Sequence, residues 1–341
     1  MKKFGFFIGF DIGKLYLDVC VTDGTRPLVS DRINNKTDDI KVFLAALKAS
    51  TGVKASNTVF GMEQTGIYGN HLLAVLLKMK ASIVNENAVH IKNSLGLLRG
   101  KNDKLDAFRI AEYLFRSRDR LSLWKGKREI LIELSALLSL RERLMSMLHI
   151  LKVPLKEAEG FTKKTSLNQN LLLCLGTINA VKVDIVQVES SITSLWSSDE
   201  PIAAQMKIIC SIPCIGELTA LNIIITTNEF KNITSAKKFA CYAGIAPFMR
   251  QSGSSVMGKS RISHIANKKT KSLLHTCAIL SVRFVPELKA YFIRKTEGEH
   301  KNKMLVYNAI RSKLVLRVFS CIKAMRMFEQ DYDYKQMQSH P

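Results

Sequence analysis

The sequence predicts an α/β domain of the ribonuclease H-like (RuvC-like) class, followed by an α-helical coiled-coil hairpin and a mainly α-helical C-terminal domain. Three observations support this division. Short apolar runs alternate with helical spacing in the first third, heptad stripes fill the middle, and helical spacing dominates the remainder. Such segregated patterns are typical of separately layered domains. We place the domains at 1–122, 123–200 and 201–330, with a flexible tail over 331–341.

The N-terminal third begins with strands. Residues 4–11 and 15–22 are apolar runs with Gly13 and Lys14 between them, which predicts a β-hairpin, and a turn at 23–25 leads to a third strand near 27–33. The next segments are assigned by their spacing: helix 38–49, strand 57–63, helix 70–79, strand 81–85, and helices near 88–98 and 103–117. Meandering strands followed by alternating helices and strands give the order of a ribonuclease H-like sheet.

Two heptad stripes occupy the middle of the chain, with Pro154 and Gly160 between them. We therefore predict an antiparallel helical hairpin that serves either as an intrachain spacer or as a dimer contact. Arg141 interrupts the first stripe. The first stripe contains Ile130, Leu134, Leu137, Leu144, Leu148 and Leu151, and the second contains Leu171, Cys174, Ile178, Val181, Ile185, Val188, Ile192 and Leu195.

The C-terminal third starts after a boundary at 197–201. Residues 211–220, Ser-Ile-Pro-Cys-Ile-Gly-Glu-Leu-Thr-Ala, suit a helix-hairpin-helix, in which backbone N–H groups contact a phosphate. An ordinary tight turn between core helices is the alternative. A Gly/Ser loop is predicted at 250–259, and helices at 263–281 and 303–326.

Composition points to a polyanionic partner. The 341 residues carry 51 Lys and Arg against 29 Asp and Glu, a net charge of +22, which attracts nucleic acid first and acidic membrane surfaces second. Seven scattered cysteines complete no zinc pattern and are expected to be core thiols in a reducing cytoplasm. Because no run of 18 uncharged apolar residues occurs, we predict no membrane span and a cytoplasmic protein.

Four carboxylates in this basic chain suggest a metal-ion nuclease. Asp11 and Glu63 close apolar strands, and Asp103 and Asp106 share one face of a helix start. Mg²⁺ prefers such hard oxygen ligands, and two ions about 4 Å apart promote phosphodiester cleavage. The alternative is that Asp103 caps its helix and Asp106 interacts with the helix dipole. Asp18 lies within the second strand, and we place it away from the metal site.

Motifs around these carboxylates resemble those of the DEDD transposases of the insertion-sequence family numbered 110. The N-terminal motifs are Gly-Phe-Asp-Ile-Gly-Lys at 9–14, Met-Glu-Gln-Thr-Gly at 62–66 and Lys-Asn-Asp-Lys-Leu-Asp-Ala at 101–107. The C-terminal motifs are Tyr-Ala-Gly-Ile-Ala-Pro at 242–247, Gln-Ser-Gly at 251–253 and Ile-Ser at 262–263. The resemblance covers nearly the whole chain, and its first domain is like the RuvC Holliday-junction resolvase.

The resemblance implies a site-specific recombinase that excises and inserts its element in double-stranded DNA. It implies that Asp11, Glu63, Asp103 and Asp106 bind Mg²⁺ and that Ser252 is a nucleophile, with Ser254 and Ser255 as rivals. It also implies a structured noncoding guide RNA and a homodimer that assembles into a tetramer. Nucleic-acid contacts are expected from nine basic residues: Lys14, Lys101, Lys104, Arg250, Lys259, Arg261, Lys268, Lys269 and Lys271.

The chain departs from the family pattern at two places. It has Ala266-Asn267 where the family tends to have Gly-Asn, and Lys271 where the family has Arg. Lysine meets a phosphate as a point charge without the bidentate fork. The alternatives are a metal-dependent junction nuclease in which Ser252 is structural, a catalytically inactive nucleic-acid-binding relative, and an actin-like ATPase, which would need a second Gly-rich phosphate loop.

Overall fold

A computed structural model describes residues 4–64, 66–96, 103–252, 256–263 and 266–330. The chain forms two compact units, residues 1–126 and 127–341. The first is an α/β unit, and the second is helical apart from a two-stranded ribbon. The finer three-domain division stays a prediction, and the predicted tail at 331–341 lies outside the described residues.

The first unit is built on a five-stranded mixed sheet with the order β3-β2-β1-β4-β5. β1, β2 and β3 form an antiparallel meander, whereas β4 and β5 run parallel to β1. This arrangement agrees with the ribonuclease H-like α/β class that the sequence predicts. The strands span Phe6–Ile12 (β1), Tyr16–Thr22 (β2), Pro27–Asn34 (β3), Thr58–Glu63 (β4) and Ser82–Glu86 (β5).

Helices cover both faces of this sheet. Helices α1 (Thr37–Thr51) and α2 (Asn70–Lys78) pack on the face that carries Ile8 and Phe10. On the opposite face Leu114 of helix α4 (Asp103–Arg116) packs with Phe7. Successive side chains in a strand point to opposite faces of the sheet. Because helices cover both faces, side chains on both faces of β1 are in an apolar environment, and its sequence is a nearly continuous apolar run. Helix α3 (Ala88–Ser94) is capped by Asn87, whose side chain accepts from Val89 N–H.

The second unit begins with a helical hairpin of α5 (Glu129–Glu157) and α6 (Lys164–Ser197). Leu134 and Leu138 are buried in one core with Val188 and Ile192. Arg141, which interrupts the heptad stripe, is accounted for by an ion pair across the hairpin, where its Nε lies 2.7 Å from Glu189 Oε1. Supercoiling of the two helices stays a prediction.

Proline 154 lies inside α5, not in the turn where the sequence places it. A proline removes one backbone N–H and crowds only the turn before it, so the helix can continue for another three residues, to Glu157. By length and composition, α6 is the one described helix that could cross a membrane. In the structure, 22% of its most apolar window is buried.

The remaining chain packs around the base of the hairpin as one apolar core. Arg128 joins three elements there, because its guanidinium donates to Asp199 at the start of α7 and to Glu229 just after α8. The turn predicted between α7 and α8 is present, and Cys214 within it has a positive φ of 67°. The helices span Glu200–Cys210 (α7), Glu217–Thr227 (α8), Ala236–Tyr242 (α9), Lys268–Phe284 (α10), Pro286–Ile293 (α11) and Lys303–Ala324 (α12).

The predicted Gly/Ser loop at 250–259 is wrong. Strands β6 (Pro247–Ser252) and β7 (Val256–Ile262) form an antiparallel ribbon in which Ser252 pairs with Val256. The three residues between the strands in the sequence, Gly-Ser-Ser at 253–255, lie outside the described residues. Helix α10 also begins later than predicted, at Lys268, because the Asn267 side chain accepts from Thr270 N–H and caps it.

A candidate acidic active site

Two glycines let α4 cross the sheet closely enough to bring its carboxylates to the strand ends. A Cβ on Gly9 would lie 2.2 Å from Ala107 O and 2.5 Å from Ala111 N of α4. A Cβ on Gly61 would lie 2.7 Å from Leu114 Cδ1. The two glycines are paired neighbours in β1 and β4. Only glycine therefore fits at position 9, where the obstruction is the backbone of α4, whereas a Cβ at position 61 would require the Leu114 side chain to move.

The predicted carboxylates converge beside this crossing. Asp11 and Glu63 follow Gly9 and Gly61 by two residues, so they lie on the same sheet face as the glycines and at the end where both parallel strands finish. Asp103 and Asp106 occupy the first turn of α4. Three elements that are far apart in sequence thus supply four carboxylates to one place.

The electrostatics of Asp11 report this crowding. Burial, followed by the charges of Asp106, Glu63, Asp103 and Asp18, raises the pKa of Asp11 from 3.8 to about 6. Burial and then the charge of Asp106 also raise the pKa of Glu63. A cation bound among these carboxylates would reduce their mutual repulsion and favour their charged forms.

Asp18 belongs to this group, and placing it away from the site was wrong. Asp18 lies directly opposite Asp11 in the β1–β2 register and opposite Arg32 in the β2–β3 register. The Arg32 guanidinium donates three hydrogen bonds of 2.8–3.1 Å to the buried Asp18 carboxylate. Its Nη2 also donates to Asp103 Oδ2 at 3.0 Å. Arg32 therefore connects the sheet to the first turn of α4.

A second arginine pairs with Asp106, because Arg109 Nη1 lies 2.7 Å from Asp106 Oδ1. Within the described ranges no three carboxylate, imidazole or thiol groups converge tightly enough to hold a metal ion as they stand. The donor set nevertheless fits Mg²⁺, since its members offer only hard oxygen atoms from separate, packed elements. Asp11 and Glu63 come from strands and Asp103 and Asp106 from α4.

The predicted serine nucleophile belongs to the second unit. Ser252 is the last residue of β6, and its rivals Ser254 and Ser255 lie outside the described residues. Arg250, Lys259 and Arg261 fall on the ribbon strands, where the backbone alone is described, and Lys101 lies outside the described residues.

The other predicted basic residues divide between the units. Lys14 is exposed between β1 and β2, and Lys104 is exposed on the first turn of α4. Lys268, Lys269 and Lys271 occupy the start of α10, where Lys269 Nζ lies 2.5 Å from Glu142 Oε1.

The base of the ribbon is clamped by residues on both sides of it. Asn267 Nδ2 donates to Tyr242 Oη at 2.7 Å, and Asn267 N–H donates to Tyr242 O at 2.9 Å. Gly244 has a φ of 63°, and a Cβ there would lie 2.2 Å from Ala266 Cβ. The contacts hold the chain entering β6 against the chain leaving β7. They also explain why glycine is needed at 244.

Both halves of the chain match models of one family. Residues 8–158 match a family model described as "Transposase", the DEDD transposase of the IS110 group, and residues 206–292 match the "Transposase IS116/IS110/IS902 family". The chain belongs to the IS110 family of transposases. It is thus an enzyme that acts on DNA. The match over residues 8–158 contains the candidate acidic site, and the match over residues 206–292 contains the β6–β7 ribbon with Ser252.

Named relatives agree with this membership. A "Pilin gene-inverting protein" of Moraxella lacunata is 28% identical over 328 residues, which is 95% of this chain and 98% of the relative. Its namesake from Moraxella bovis has the same identity and coverage. The "Insertion element IS110 uncharacterized 43.6 kDa protein" of Streptomyces coelicolor is 24% identical over 130 residues, 35% of this chain and 31% of the relative.

Several residues of the candidate acidic site and of the ribbon were not identified from the sequence. Asp18 and Arg32 join the acidic group through strand register, which no local motif reveals. Tyr242 and Asn267 were noted only as parts of motifs, although their mutual hydrogen bonds clamp the ribbon. The usable signal was the strand prediction itself: two antiparallel pairings place Asp11, Asp18 and Arg32 in one row across β1, β2 and β3.

Proposed function

We propose that this transposase cuts and rejoins double-stranded DNA with a composite centre made of the acidic site and Ser252. The observation that carries the acidic half is the close crossing of α4 over Gly9 and Gly61, which gathers the four carboxylates at the strand ends. Family membership supports the DNA substrate. The serine half rests on the resemblance of the Gln-Ser-Gly segment to the family's motif.

In this proposal Asp11, Glu63, Asp103 and Asp106 hold Mg²⁺. When bound, the ions activate the attacking oxygen and neutralise charge on the phosphate and the leaving oxygen. The protein's own part is to fix the carboxylates on packed elements, so that little reorganisation is needed during the reaction. Asp11 and Glu63 are half-buried, which leaves each carboxylate partly accessible to a cation and a phosphate.

The strand-cutting step is a transesterification. The Ser252 hydroxyl loses its proton to a nearby base, and its oxygen forms a bond to phosphorus. The phosphodiester bond to one deoxyribose oxygen breaks, and that oxygen leaves as a hydroxyl after taking up a proton. The phosphoserine conserves the energy of the broken bond, so a hydroxyl of another DNA end can reverse the step and rejoin the strands.

Three further features of the proposal come from the family. The chain uses a structured noncoding RNA to specify its DNA sites, acts in the cytoplasm, and assembles as a homodimer that pairs into a tetramer. The names of the Moraxella relatives add DNA inversion to excision and insertion as possible outcomes of the same strand exchange. Basic residues at the start of α10 and on the ribbon supply phosphate contacts.

A suicide DNA substrate tests the centre. With Mg²⁺ and the guide RNA, the wild type should form a covalent protein–DNA adduct, and mapping of the attached peptide should identify Ser252. Ser252→Ala should abolish the adduct, whereas Ser254→Ala and Ser255→Ala should retain it. Asp11→Asn should lose at least a hundredfold in adduct formation, because the first-strand carboxylate is removed without a change in size.

The rival activities give different results. A metal-dependent junction nuclease would cut DNA without any adduct and would tolerate Ser252→Ala. An inactive nucleic-acid-binding relative would bind DNA with strong salt dependence but neither cut nor exchange strands. If the wild type and Asp11→Asn cut DNA equally well, the acidic site takes no part in the reaction.

A further inference from the structure

The position of Arg32 puts it in competition with any cation for the acidic site. Arg32 lies in the third strand of a row that runs Asp11, Asp18, Arg32 across the sheet. Its guanidinium reaches over this row to Asp103 on α4. The positive charge of Arg32 is thus shared between Asp18 and Asp103, of which only Asp103 is a proposed metal ligand.

The two ends of this bridge are not equivalent. Asp18 is buried, with 7% of its side chain exposed, and it accepts three hydrogen bonds from Arg32. Asp103 has 61% of its side chain exposed and accepts one hydrogen bond. Charge-assisted pairs that are buried and bidentate are stronger than single exposed ones. Asp18 therefore anchors the guanidinium, and the contact to Asp103 is the one that can be exchanged.

The Asp103 carboxylate cannot bind Arg32 and a metal ion equally well at the same time. A carboxylate oxygen that accepts from a guanidinium has less electron density for a metal ion, and the fixed positive charge repels a second cation nearby. The exchange does not require Arg32 to leave Asp18, because Asp103 is the more exposed partner and can turn away from the guanidinium. The Tyr16 ring, 5.9 Å from the guanidinium carbon, offers it a neighbouring surface.

We propose that Arg32 is a positioning residue that lowers the cation affinity of the acidic site by holding Asp103 on the Asp18 side. Loading of the site then requires the Arg32–Asp103 hydrogen bond to be exchanged for a bond from Asp103 to the cation. Arg32 stays tethered to Asp18 throughout. The inference rests on the proposed function, in which Asp103 is a metal ligand.

Direct Mn²⁺ binding to the full-length protein, measured by calorimetry or by electron paramagnetic resonance of free Mn²⁺, tests this role without any DNA reaction. Arg32→Gln should bind Mn²⁺ about two- to fivefold more tightly than the wild type, since a single exposed pair is lost. Arg116→Gln, which removes an arginine paired with Glu112 on the same helix, is the matched control and should leave the affinity unchanged.

Arg32→Gln leaves the buried Asp18 carboxylate unpaired, so its melting temperature should fall even as its metal affinity rises. That combination separates competition from a general loss of structure. If Arg32→Gln does not fold, the double variant Asp18→Asn with Arg32→Gln frees Asp103 without an orphaned charge. It should also bind Mn²⁺ more tightly.

Unchanged or weaker Mn²⁺ binding by the folded Arg32 variants would overturn the competition. The proposed function is tested separately by Asp103→Asn. If Asp103→Asn weakens binding while the Arg32 variants bind like the wild type, Asp103 is a ligand and only the role of Arg32 fails. If Asp103→Asn binds like the wild type, Asp103 is not a ligand, and both ideas fail.

Discussion

At the scale of single residues, Asp11 shows how a carboxylate of the candidate acidic site reduces the stability of its own fold. Its pKa in the folded chain is raised to about 6, against an ordinary value of 3.8. Below pH 3.8 the carboxyl is protonated in both the folded and unfolded chain, and no penalty exists. Between 3.8 and about 6 the unfolded chain ionises first, so stability falls as the pH rises. Above this window the full penalty remains.

Asp11→Asn should therefore stabilise the chelator-treated protein at pH 8 and change little at pH 3.8. Because Asp11 is partly exposed, we expect a gain on the order of 1 kcal/mol in the free energy of unfolding, well below the full value of the shift. Urea denaturation at the two pH values measures this. A gain of the same size at both pH values would show that the charge of Asp11 is not its source.

Arg311 in α12 is a second residue that is expected to lower the stability of the folded protein. It is 4% exposed, burial lowers its pKa, and among the described residues its Nε has no hydrogen-bond partner. His275, its titratable neighbour on α10, also has a buried ring nitrogen without a partner. Burial and then the charge of Arg311 lower the pKa of His275, so this imidazole is neutral at neutral pH and adds no charge. The cost at Arg311 is that of a buried guanidinium whose hydrogen bonds are incomplete.

Replacing Arg311 with methionine should raise the free energy of unfolding by about 1 kcal/mol or more, since an unpaired buried charge is exchanged for apolar packing. Arg317→Met is the control on the same helix. Arg317 pairs with Glu287 at 2.7 Å and lies over the Phe328 ring, so its loss should be neutral or destabilising. Denaturant melts of both variants would decide, and a destabilised Arg311→Met would mean that the charge is compensated in the folded chain.

At the scale of elements, local patterns predicted much of the fold and too little of the site. Alternating spacing located every strand of the first sheet to within two residues, and the heptad stripes indicated both hairpin helices, although α6 begins at Lys164, seven residues before the first residue of its stripe. Periodicity carries no register, however, and so it missed the row that joins Asp18 and Arg32 to Asp11. The ribbon at 247–262 was missed because Gly/Ser composition resembles a loop even where backbone pairing forms strands.

Gly9 tests how tightly α4 must approach the sheet. Gly9→Ala would force a Cβ to 2.2 Å from the Ala107 carbonyl oxygen, so α4 must shift and carry Asp103 and Asp106 with it. We expect a loss of about 1–3 kcal/mol in the free energy of unfolding from overpacking against backbone, together with weaker Mn²⁺ binding.

Gly176→Ala is the matched control, because Gly176 lies within α6 and a Cβ there would meet nothing within 4 Å. Alanine is favoured over glycine inside helices by about 1 kcal/mol, so this variant should be slightly more stable than the wild type. Thermal melts and Mn²⁺ titrations measure both effects. Wild-type Mn²⁺ affinity in Gly9→Ala would show that the site does not depend on the close crossing.

At the scale of the whole molecule, the hairpin has more apolar surface than the described part of the chain covers. Ile178, Ile185 and Ile192 of α6 are buried. A second row on α6 is open, with Leu172, Val183 and Val186 exposed by 69%, 55% and 65%. Leu172 and Val186 are separated by two heptads, the repeat that pairs helices. An apolar row of this kind on a solvent-facing helix indicates a contact with a further helix.

We therefore expect the transposase to self-associate through the open row of α6, in line with the predicted dimer. Leu172→Glu with Val186→Glu should convert the protein to a monomer in sedimentation velocity and reduce strand exchange. Mn²⁺ affinity should be unchanged, because the acidic site lies in the other unit. Ile178→Glu is the contrasting variant: its side chain is 3% exposed, so it should unfold the hairpin rather than dissociate it. A double variant that still forms dimers would place the contact elsewhere, and binding of the wild type to lipid vesicles through α6 would assign the row to a membrane surface instead.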